Sequence, residues 1–149
     1  MDERRVEKVT QPVSFELADR RRLDGDVFLQ QYESHHTGRQ TVGDLLNEAV
    51  PFIPVKAAGK VVLLNAVQIV TAAVPSKSEK DDLMTLGKRY AIRIKTTQDK
   101  EISGDIFVNL PEESSRVKDY FNQSTRFFAI FQPDSIVYVN PNFILTVEE

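Results

Sequence analysis

The only histidines, His35 and His36, stand side by side in Tyr32-Glu-Ser-His-His-Thr-Gly38. Imidazole binds transition metals and titrates near neutral pH. A metal site, however, needs ligands that converge at fixed geometry. Adjacent histidines point apart, and only Glu33 is near in sequence. The pair reads as a solvated loop with mild pH sensitivity, and no metal or cofactor is expected.

Arg20-Arg21-Arg22 lies at a predicted hairpin tip and is the candidate anion contact, since guanidinium groups pair well with phosphate. The same residues also serve as a charged turn that blunts a sheet edge. Asp44 and Asp119 recur at matching places, as do Asn47/Asn122 and Asn65/Asn140. Facing carboxylates would form an acid–base pair or hold a cation. Helix capping and turn chemistry account for the same residues more simply. Phe131 falls where the matching residue is Lys56, which marks it as a candidate interaction surface. The other late aromatics, Tyr120, Phe121, Phe127, Phe128, Tyr138 and Phe143, would suit base stacking, but most match apolar positions and read as core. No nucleophile elbow, phosphate loop, dinucleotide fingerprint or zinc-protease motif occurs, so no catalytic residue is assigned.

Composition narrows the field. The 149 residues are 41% hydrophobic and 28% charged, an ordinary globular balance. Nineteen basic residues against 22 acidic ones give a net charge of −3, which disfavours a dedicated nucleic-acid binder. The absence of cysteine excludes disulfides, thiolate catalysis and cysteine-ligated zinc. The charged N-terminal residues predict no secretory leader, and no run is long and apolar enough to predict a membrane helix. A cytoplasmic location is the expectation.

The elements that must position these residues are predicted by an internal repeat. Val42, Asp44, Asn47, Phe52, Val62, Asn65, Ile69 and Thr71 match Val117, Asp119, Asn122, Phe127, Val137, Asn140, Ile144 and Thr146 without a gap. Upstream, Gly25-Asp-Val-Phe-Leu matches Gly104-Asp-Ile-Phe-Val at a slightly different offset, so the first copy has the longer loop within Gln30 to Thr41. Residues 1–10 read as a tail, 11–74 as copy one, 75–87 as a linker and 88–149 as copy two.

Within each copy, Val13-Ser-Phe-Glu-Leu and Ile92-Arg-Ile-Lys alternate as half-buried strands do. A glycine-bearing strand follows (Leu23 to Gln30, Ile102 to Leu110), then a short helix. Thr41 and Asp44 predict a capping box, and Asn47 a left-handed helix end. Strands at 52–55 and 127–130, 61–64 and 136–139, and 68–73 and 143–147 complete each unit. In the linker, Ser78 is the expected cap of a helix ending near Gly87. The fold class is mainly β (α+β): a tandem duplication of a small bent-sheet or barrel unit, related by a pseudo-twofold and packed as one body.

The bent glycine strand and the element Val61-Val-Leu-Leu-Asn65-Ala-Val-Gln-Ile69 resemble, loosely, an Sm-like small barrel. In that family the helix precedes the first strand, whereas here it follows the second, and no RNA-holding residues carry over. Asp-Leu-Leu-Asn…Phe-Ile…Leu-Asn…Ile is similar to small bacterial domains of unassigned function, over nearly all of each copy. That resemblance implies no activity. The expected function is a non-enzymatic module for protein interaction or self-association. The alternatives are nucleic-acid or anionic-ligand binding through Arg20, Arg21 and Arg22, and an enzyme with an unrecognised site between the copies.

Overall fold

In the computed structural model, which describes residues 8–31 and 38–149, ten strands form one antiparallel sheet. The first half supplies β1 (Lys8–Leu17), β2 (Arg22–Gln30), the short helix α1 (Val42–Leu46), β3 (Phe52–Ala57), β4 (Lys60–Asn65) and β5 (Ile69–Pro75). Helix α2 (Ser76–Glu79) and a 3-10 turn (Asp82–Thr85) lead into the second half. That half contains β6 (Lys88–Thr96), β7 (Glu101–Val108), α3 (Val117–Phe121), β8 (Phe128–Phe131), β9 (Ser135–Val139) and β10 (Ile144–Glu148).

The order across the sheet is β10-β6-β7-β8-β9-β5-β1-β2-β3-β4. Each half therefore places its fifth strand beside its first, and the halves meet where β5 pairs with β9. The sheet is open, with β4 and β10 as its outer strands. Closing either half into a barrel would require its fifth strand to pair with its own fourth. Here β5 pairs instead with the fourth strand of the other half, so of the bent-sheet and barrel alternatives the chain forms one continuous open sheet.

Strand registers coincide between the halves. Val13 faces Gly25 as Ile92 faces Gly104. Ile53 faces Leu64 as Phe128 faces Val139, and Phe15 faces Ala72 as Ile94 faces Val147. The fifth-strand pairings also shift register at matching points, at Glu16/Leu17 and at Ile144/Thr146. The two glycines serve a close backbone approach. A Cβ on Gly25 would lie 2.8 Å from the Lys56 carbonyl oxygen, and one on Gly104 would lie 2.6 Å from that of Phe131.

Two cores result. The first gathers Phe15, Val27, Leu29, Val42, Leu46, Val55, Ile69 and Ala72. The second gathers Ile92, Ile94, Ile106, Val108 and Ile130. Alternation along β9 sends Ile136 and Tyr138 into the first core and Val137 and Val139 into the second. β9 is thus wedged between the two cores. Among the described residues, no helix is long and apolar enough to cross a membrane.

Three local expectations need correction. β1 begins at Lys8, so the strand reaches into the segment expected to be tail. Ser78 lies inside α2, where its hydroxyl donates to the Pro75 carbonyl at 3.2 Å. It caps nothing, whereas Asp81 caps the 3-10 turn by accepting from the Leu83 N–H at 2.9 Å. Asn47 and Asn122 end α1 and α3 with φ −93° and −95° rather than in the left-handed region, and the backbone N–H of each donates to carbonyls of its own helix.

Candidate interaction surface

The start of α1 is tied to the linker and, through it, to the second half by buried hydrogen bonds. The capping box is present: the Asp44 N–H donates to Thr41 Oγ1 and the Thr41 N–H to Asp44 Oδ2, both at 3.0 Å. The Arg116 N–H likewise donates to Asp119 Oδ2 at 3.0 Å. Each aspartate therefore serves the start of its own helix. Glu79, from the linker, is a buried carboxylate that crosses between elements. The buried Glu79 side chain accepts from the Val42 N–H and the Gly43 N–H, each at 2.9 Å, and from the Tyr138 hydroxyl at 2.5 Å. Burial pushes the Glu79 carboxyl above its ordinary value, against these three donors. Burial also raises the Tyr138 hydroxyl, helped by the adjacent Glu79 charge. The Tyr138 ring fills the space over Gly43, where a Cβ would come within 2.7 Å of its oxygen. In the sequence Tyr138 reads only as one of the late aromatics of the core, and Glu79 does not stand out. Glu79 sits in a polar run with nothing to distinguish it from a solvated residue.

A cavity of about 520 Å³ opens beside this clasp, bordered by Asp44, Asn47, Glu48, Phe107, Phe131 and Tyr138 among others. Among the described residues, none that lines it is cationic. Asp119 does not line it, so the two repeated carboxylates do not face one another there. Phe131 is half-buried in its wall, edge-on to Phe107 at 5.2 Å between ring centroids. Asn47 Oδ1 at the rim accepts from Thr125 Oγ1, the Arg126 N–H and the Phe127 N–H at 2.9, 3.1 and 3.0 Å.

The three arginines remain at the β1–β2 tip. Arg21 pairs with Asp19 at 2.6 Å and Arg22 with Asp24 at 3.0 Å. Arg20 Nη1 donates to the Gln98 carbonyl at 3.2 Å. Each guanidinium thus already faces an acceptor, and the arginine beside each of Asp19 and Asp24 helps hold that carboxyl below its ordinary range. The largest influences are the Arg21 N–H on Asp19 and the Ser14 hydroxyl on Asp24. His35 and His36 lie outside the described residues.

The free sheet edges show the clearest departure from a self-contained fold. On the first half, Phe52, Val61 and Leu63 are 50%, 56% and 67% exposed. Their counterparts in the second half, Phe127, Ile136 and Tyr138, are 3%, 0% and 3% exposed. Val62 between them is also exposed, as is Leu145 on β10. Among the described residues, neither β4 nor β10 has a partner on its outer side.

The chain matches no protein-family model, no curated protein and no solved structure.

Proposed function

We propose that this chain is a non-enzymatic interaction module, formed by tandem duplication of a five-strand unit, that acts by self-association through its sheet edges. The matching registers, register shifts and close-packed glycines of the two halves support the duplication.

One observation carries the functional reading: Val61, Val62 and Leu63 are exposed in succession on an outer strand. Outer strands are ordinarily blunted by charge, proline or a covering segment, because their unpaired N–H and C=O groups recruit other strands. Within β4 only Lys60, at its start, is charged. A contiguous apolar edge of this kind marks a contact surface. Anion binding has weaker support, since Arg20, Arg21 and Arg22 already face acceptors.

Light scattering across a wide concentration range tests the proposal. The expected result is a mass above the 16.9 kDa chain mass that falls to one chain in Leu63→Lys. A single-chain mass throughout, unaltered by that substitution, would sink the reading.

A further inference from the structure

We infer that the occupant of the β4 edge is β10 of a second copy of this chain, paired in the register of the β5–β9 junction. The inference rests on the self-association reading and specifies its partner and geometry.

The β5–β9 junction is the template. There Thr71 faces Val139, Ala72 faces Tyr138 and Ala73 faces Val137. Carried across the repeat, the same pairing sets Thr146 opposite Leu64, Val147 opposite Leu63 and Glu148 opposite Val62. Phe127, Ile136 and Tyr138 are the three buried side chains that the second half lends to the first core. Phe52, Val61 and Leu63 occupy the same three positions and stand in water.

The receiving side is unfinished in a matching way. Val42, Leu46, Ile69 and Ala72, which take up the lent side chains, are fully buried. Their counterparts Val117, Phe121, Ile144 and Val147 are only half-buried around the second core. A neighbour's Phe52, Val61 and Leu63 would cover them. Size is complementary too. At the junction a large Tyr138 covers Gly43, and at the proposed contact a smaller Leu63 meets Lys118, whose aliphatic stem covers apolar surface.

The polar contacts carry over as well. Asn140 Nδ2 donates to the Ile69 carbonyl at 2.9 Å, which sets Asn65 to donate to the neighbour's Ile144 carbonyl. Asn47 Oδ1 accepts from the Phe127 N–H, which sets Asn122 Oδ1 to accept from the neighbour's Phe52 N–H. Each chain carries one edge of each kind, so the contact is heterologous and propagates to a ring or a filament.

Leu63→Lys blocks the β4 side and Val147→Lys the β10 side. Each variant alone is expected as a single chain, and their equimolar mixture as a one-to-one dimer that grows no further. If Val147→Lys assembles as the wild type does while Leu63→Lys does not, β4 has another partner. That outcome overturns the head-to-tail contact but leaves self-association standing. If the wild type itself is a single chain, both fall.

The chain lacks cysteine, so disulfide trapping fixes the register independently of how the lysine variants fold. Cα atoms of directly opposed residues lie about 4.5–5.5 Å apart, within disulfide reach. Mixed L63C and V147C chains are expected to cross-link on oxidation, and mixed V61C and V147C chains are not. The reverse result would overturn the register, and L63C homodimers would overturn the partner.

Discussion

β9 and β4 are the same strand of two similar units with opposite surroundings. Ile136-Val-Tyr-Val139 is buried on both faces between two cores, whereas in Lys60-Val-Val-Leu-Leu64 only Leu64 is buried against a core. Both are unbroken apolar runs, the pattern of strands covered on both sides. β9 satisfies that pattern within the chain and β4 does not. The difference teaches that an apolar pattern states what a strand needs, and an unmet need points to a neighbour outside the chain.

The largest effect should come from truncating the two strands at their matching position. Tyr138→Ala opens a cavity between the cores and strips a donor from Glu79, so it should cost about 4 kcal/mol of folding stability. Leu63→Ala should change the stability of the single chain by no more than about 0.5 kcal/mol. Urea unfolding at low protein concentration gives both values. Equal losses would mean that Leu63 is as buried as Tyr138 in solution, and the contrast would collapse.

Next in size is the clasp, which the free edges lack. Glu79→Ala leaves the Val42 N–H, the Gly43 N–H and the Tyr138 hydroxyl without their acceptor. Orphaning such buried groups should destabilise the chain by about 3 kcal/mol. A loss below about 1 kcal/mol in the same unfolding assay would show that water replaces the carboxylate and that strand pairing, the shared core and the Asn47 contacts hold the halves without it.

Much of this fold was legible in the sequence. The hairpins followed from alternation, the helix start from Thr41 and Asp44, and the turns at Asn65 and Asn140 from their side chains, which accept from Val67 N–H and Asn142 N–H. What escaped was long-range. No local pattern says that β5 will pair with the other half's fourth strand rather than its own, because both partners are equally apolar. Glu79 escaped for a related reason: a carboxylate in a polar linker reads as solvated until three donors are seen to converge on it. The histidine loop and Arg20-Arg21-Arg22 drew attention as residue types. Yet the arginines make local or backbone contacts, and the apolar edge that best supports a function read only as one more strand.

The matching glycines sharpen the comparison from the other side, where the halves should behave alike. Gly25→Ala and Gly104→Ala each drive a methyl group into a neighbouring carbonyl and an aliphatic side chain. Overpacking of this kind should cost each about 2 kcal/mol. Thermal unfolding of the two variants should give similar losses, and a harmless Gly25→Ala beside a disabling Gly104→Ala would show that the halves differ in more than their edges.

The smallest effect is a pH slope set by the clasp. Burial raises the Glu79 carboxyl above its ordinary 4.5 in the folded chain. The native state then keeps a proton that the unfolded chain has already lost, so unfolding releases it, and the Glu79 contribution weakens as pH rises from 4.5 through the raised value. Glu79→Gln is neutral throughout and removes this slope. Urea unfolding at stepped pH should therefore show the wild type losing ground to Glu79→Gln as pH rises through that window. If the wild type gains ground instead, the Val42 and Gly43 N–H groups and the Tyr138 hydroxyl outweigh burial. The clasp would then be an ionised carboxylate held by three donors, a buried charge that the free edges lack.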